Sequence, residues 1–136
     1  MELKGKVEWM HVRPNGEVVD RWEGPNTILD KMKQEMAYAL GHTTFTAVDA
    51  IDFKRQDTGW GNSQPTTIDG GGTGSENWIR WRADYTASET VTITEVKLGV
   101  AAGATLLTSE YAEYNIADVA LNSGDTLIVK WTVTVS

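Results

Sequence analysis

The chain contains no cysteine, which removes a disulfide framework, thiol catalysis and every Cys-ligated zinc or iron–sulfur site from consideration. That absence fits the cytosol without bearing on exposure outside a cell. Basic side chains are few: 12 against 19 acidic ones give a net charge of −7, so a phosphate backbone would be repelled and direct nucleic-acid binding is not expected. No apolar run approaches the ~18 residues of a membrane span, and the charged stretch Met1 to Lys6 lacks the apolar segment of a secretory signal. The expectation is a protein made in the cytoplasm without a signal peptide and without a membrane partner, one that leaves a cell only by assembly or lysis.

Groups for catalysis are equally sparse. The two histidines are His11, within a β-forming run, and His42, just past a helix stop, and both positions read as structural. No G-x-S-x-G, H-E-x-x-H or P-loop pattern occurs. Asp49, Asp52, Asp57 and Asp69 surround one long loop, where a carboxylate pair could serve sugar hydrolysis, but loop carboxylates are mostly solvated. The run from Asp69 to Glu76 has the hard oxygen ligands of a calcium loop without the alternating acidic spacing of an EF-hand, so backbone flexibility explains its glycines better. Neither an enzyme, a cofactor nor a metal is expected.

What the chain does have is the composition of one globular domain: 136 residues, 40% hydrophobic and 23% charged. Leu3 to Val12 is rich in β-formers, Arg13-Pro14-Asn15-Gly16 is a turn signal, and Glu17 to Trp22 completes a hairpin. Gly24-Pro25 predicts a strand break and Thr27-x-x-Asp30 a helix cap. Apolar residues at 28, 29, 32, 36, 39 and 40 then predict one amphipathic helix over about 27–40, with Gly41 in the left-handed conformation that ends it.

A strand is expected over Phe45 to Phe53. A long irregular loop follows at about 54–77, containing Gly59, Gly61 and the run Gly70-Gly71-Gly72. Loops of this length are usually functional or ordered by a neighbour. Trp78 to Tyr85 alternates as a half-buried strand, and Thr90 to Val100 changes phase near Thr94-Glu95, which predicts a bulge or a switch of sheets. Ala101 to Ala104 reads as a turn, Thr105 to Thr108 as a short strand and Asn122 to Asp125 as a turn, while Leu127 to Val135 is apolar at every odd position. About six or seven short strands with a single helix favour a single-domain antiparallel β-sandwich, mainly β, over an open sheet.

Of six tryptophans, Trp81 and Trp131 fall in phase with apolar neighbours and read as core. Trp78 shares its face with Arg80 and Arg82, and Trp60 stands in the glycine-rich loop without apolar support. Exposed tryptophan beside arginine suits a protein interface, and an exposed ring also suits stacking on a sugar.

The order of elements has a further implication. A hairpin, Gly24-Pro25-Asn26-Thr27-Ile28 leading into a helix, a Gly/Thr-rich loop, Thr92 to Gly99, Thr105-Leu106-Leu107 and a terminal run from Gly124 to Ser136 resemble short virion structural proteins of tailed bacteriophages. Such proteins include capsid decoration (cement) proteins and tail or fibre components, and the likeness covers most of the chain. The resemblance implies a β-sandwich, often a trimer, that clamps the major capsid protein or other virion subunits; the chain departs from the pattern at residues 54–77. The interface candidates are Trp60, Trp78, Arg80 and Arg82, together with the N-terminal Glu2, Leu3 and Lys4. The segment from Glu2 to Lys6 and the loop from Lys54 to Asn77 are expected to order against other subunits. A tail or baseplate component, and a carbohydrate-binding module using Trp60 and Trp78, are the alternatives.

Overall fold

The computed structural model describes residues 2–42 and 45–136. Nine strands and one helix follow in the order β1 (Leu3–Val12), β2 (Val18–Ile28), α1 (Asp30–Gly41), β3 (Ala50–Arg55), β4 (Ser63–Pro65), β5 (Thr67–Gly71), β6 (Trp78–Thr86), β7 (Val91–Val100), β8 (Ser109–Leu121) and β9 (Thr126–Val135). All pairings are antiparallel, in the order β4-β3-β7-β8-β2-β1-β9-β6-β5. The nine strands fold into two facing layers, the expected β-sandwich, nearly closed into a barrel. One layer is β2-β1-β9-β6-β5 and the other is β4-β3-β7-β8.

Two passages of chain join the layers. The body of β2 pairs with β1, but its last residues, Thr27 and Ile28, pair with Glu113 and Ala112 of β8. At the opposite seam β4 leaves β3 and, after Thr66 alone, becomes β5 on the edge of β6. The core between the layers comes from the alternation of the central strands: Val7 and Trp9 from β1, Trp81, Ala83 and Tyr85 from β6, and Leu127, Val129, Trp131 and Val133 from β9 are all buried. Opposite them lie Ile51 and Phe53 of β3, Ile93, Val96 and Leu98 of β7, and Tyr111 and Leu121 of β8.

Several expectations are corrected. Gly24-Pro25 does not break β2; proline lacks an N–H, and an edge without a second partner tolerates that loss. Thr27 is a strand residue, not a helix cap: the helix starts at Asp30 after Leu29, without a side-chain cap. Gly41 is the last helical residue, and the His42 N–H closes the end on the Ala39 carbonyl. The helix packs on β8 through Met32, its one buried residue, while Leu40 is 80% exposed. The strand expected at Phe45 to Phe53 begins at Ala50; Thr43 and Thr44, just before it, lie outside the described residues. Thr105 to Thr108 is not a strand, and β8 follows where none was expected.

The phase change in β7 is present. Ile93 pairs with Val119 and Glu95 with Asn115, so Thr94 faces three residues of β8, Ile116, Ala117 and Asp118. Ala117 and Asp118 take positive φ of 57° and 59° inside this bulge, a left-handed geometry that non-glycine residues resist. No helix among the described residues is long and apolar enough to cross a membrane.

Candidate functional site

The residues singled out from sequence distribute over two opposite faces. Lys4, Trp78, Arg80 and Arg82 come together on the outer face of the β1-β9-β6 layer, because the ladder sets Lys4 beside Thr134 and Thr134 beside Trp78, with Arg80 and Arg82 following at every second residue. Leu3 points the other way and packs on the core. Glu2 exchanges two backbone hydrogen bonds with Ser136, at 2.8 and 2.9 Å. Within this chain Leu3 and Lys4 pair with β9 alone, and β2 joins on the other side only from Gly5 onward.

This outer face is largely satisfied by its own neighbours. Asp69 lies 3.4 Å from Arg80 and 3.3 Å from Lys130, and Arg82 holds Asp84 in a two-pronged bond at 2.9 and 3.0 Å. The Trp78 ring rests on Gly70 and Gly71, where a β-carbon would strike it. Ring packing thus accounts for Gly70 and Gly71, while Gly72 lies against Ile79 and takes a positive φ of 70°. Asp69 and Glu76 are likewise engaged, Glu76 by the Thr73 N–H and hydroxyl, so these residues do not converge as cation ligands. Among the described residues no group of three acidic or histidine side chains is placed to hold a metal.

Trp60 lies on the other layer, away from Trp78. The loop carrying it folds back over β3, and the buried Asp52 carboxylate accepts hydrogen bonds from the Gly61 and Asn62 amides. Burial pushes the Asp52 carboxyl upward, opposed by those amides and by Lys97. Lys97 stands 4.4 Å above the Trp60 ring and Lys54 5.8 Å from it. The stretch 54–77, expected as an irregular loop ordered by a neighbour, therefore holds β4 and β5 and is ordered by its own chain. Asp49 caps the Ala101 and Ala102 amides and Asp57 binds Arg55, so the four loop carboxylates each have separate structural partners.

The least satisfied surface is one that sequence patterning missed. Before Gly24, β2 and β8 lie apart, and a cleft of roughly 650 Å³ opens between Val19, Asp20 and Trp22 on one wall and Tyr114, Ala117 and Asp118 on the other. From Val18 to Glu23, β2 pairs only with β1, and from Tyr114 to Leu121, β8 pairs only with β7. Both strand edges facing the cleft therefore have backbone donors and acceptors without ladder partners. Trp22 pairs with Trp9 across the hairpin and projects to the same, inner side of the layer. Trp9 is buried, whereas Trp22 is 64% exposed because β8 does not reach over it. The Trp9 indole N–H, in the cleft wall, is buried without an acceptor.

At the cleft floor His11 donates to Asp125 at 2.7 Å, and Asp125 also accepts the Asn122 amide at 2.9 Å. His11 holds the Asp125 carboxyl below its usual range. Both groups are committed to pinning the turn before β9. The space beside them is open between the two strand edges. Hairpin symmetry about Asn15-Gly16 already aligned Trp22 with Trp9 in the sequence, but that signal alone predicts a buried pair. No family model, no curated protein and no solved structure matches this chain.

Proposed function

We propose that this chain is a non-enzymatic virion structural protein, a capsid decoration (cement) protein that binds the major capsid protein or neighbouring virion subunits and stabilises the shell. The observation that carries the reading is the cleft: two unpaired strand edges and an inward-facing but uncovered Trp22 form a surface left incomplete within the single chain. Such edges favour pairing with another polypeptide, and natural proteins seldom leave them bare. A stable contact would bury on the order of 1,200–2,000 Å². The resemblance of the element order to short phage virion proteins adds the virion and the trimer to this reading; a tail, baseplate or fibre component uses the same surface in a different place. A glycan platform on Trp60 or Trp78 has less support, since Lys97 stands over the first ring and Gly70-Gly71 lies under the second.

The test is light scattering of the purified protein followed by co-sedimentation with undecorated capsids of the source virus. A trimer that sediments stoichiometrically with the shell is the expected result. A monomer that stays in the supernatant overturns the decoration role.

A further inference from the structure

We infer that the β2/β8 cleft takes up one extended segment of a partner protein, on the order of six residues long, in which basic side chains alternate with apolar ones. The inference rests on the reading that the protein works through protein contacts and adds the chemistry of what it grips. Backbone geometry gives the conformation. The bare run from Val18 to Glu23 and the opposing edge from Tyr114 to Ala120 present ladder groups that only another extended backbone meets in register. Trp22, exposed on the inner side, offers an apolar seat for a side chain of that strand.

Charge gives the composition. Asp20 and Asp118 border the cleft, and Glu95 and Glu113 border a separate neighbouring hollow that shares Tyr114 and Asn115 with it. None of these four carboxylates is in an ion pair among the described residues. The cleft's one arginine, Arg13, leans toward Glu17 at 3.8 Å. An acidic groove with an apolar seat favours lysine or arginine on the incoming strand. It disfavours a second copy of this chain, whose net charge is −7. The bulge at Ala117 and Asp118, held by the Ala117 amide on Asn115, keeps the β8 wall away from β2. The opening is thus built into the strand.

The test is amide hydrogen exchange of the full chain with two synthetic peptides, one alternating valine and lysine and one alternating valine and glutamate. The valine/lysine peptide is expected to slow exchange at 18–23 and 114–120 about tenfold or more, and Trp22→Ala, at an exposed position that leaves the fold intact, is expected to weaken its binding by about tenfold or more. Equal protection by both peptides, protection elsewhere, or no protection overturns the inference. So does protection without peptide that grows with protein concentration, which would mark self-association. Capsid co-sedimentation separates this from the wider reading. If wild type and Trp22→Ala both sediment with shells, the cleft is not the attachment site and the decoration role stands; if wild type fails to sediment, the decoration role falls while the peptide result still decides the cleft.

Discussion

Asp52 and Asp125 are two buried carboxylates with different consequences for stability. Asp52 satisfies the amides of Gly61 and Asn62 and so moors the Trp60 loop to β3. Asp52→Ala leaves those amides without their acceptor and should cost about 1–3 kcal/mol, seen as a lower urea midpoint; an unchanged midpoint would show that the loop's other bonds, among them those of Asn62 to Phe53 and of Gly59 to Arg55, hold it without Asp52. Asp125 has its carboxyl held low by His11, so its contribution is fully present above about pH 4 and fades as pH falls through the depressed folded-state value. The stability lost between pH 7 and pH 3 should therefore be smaller in Asp125→Asn than in wild type, and an equal loss in both proteins would contradict the assignment. The patterning of Trp81 and Trp131 made their burial readable, because each sits in an uninterrupted alternation. Nothing local to Asp52 or Asp125 announced a structural role: their partners lie in other segments, and only chain reversal brings them within reach.

Strands with one unbroken phase were legible as elements, and those whose phase is reset were legible only in part. β6 and β9 alternate cleanly and lie where expected, and the conflict of phase in Thr90 to Val100 marked the bulge at Thr94. Its partner β8 escaped notice because Tyr111 and Ala112 are both buried in succession and the three-residue bulge then changes the phase again. At Ala117 the left-handed backbone costs energy that glycine avoids, so Ala117→Gly should stabilise the fold by roughly 1 kcal/mol in urea unfolding. A destabilised variant would mean that the alanine side chain contributes more than its backbone strain removes. The amphipathic spacing found the helix but extended it too early. Thr27 and Ile28 bond to β8, and a strand pairing outcompetes a capping signal that has no side-chain hydrogen bond to support it.

Across the whole molecule, the last strand is central: β9 lies between β1 and β6 and supplies Trp131 to the middle of the core. Removal of residues 126–136 should therefore abolish the cooperative thermal transition and the dispersed amide spectrum, whereas a folded truncated chain would show that the layers close without β9. The alternation of apolar residues, the turn signals at Asn15-Gly16 and Asn122 to Asp125, and the composition were enough by themselves to determine a single mainly β sandwich with one helix, because side-chain period and turn chemistry are local properties. They also determined the acidic balance that bears on any partner. Only the tertiary structure decided that β2 serves both layers, that the loop at 54–77 is held by its own chain, and that Trp22 faces inward yet stays uncovered. Each of these depends on which strand lies beside which, and that depends on contacts between residues far apart in the chain, which no local period encodes.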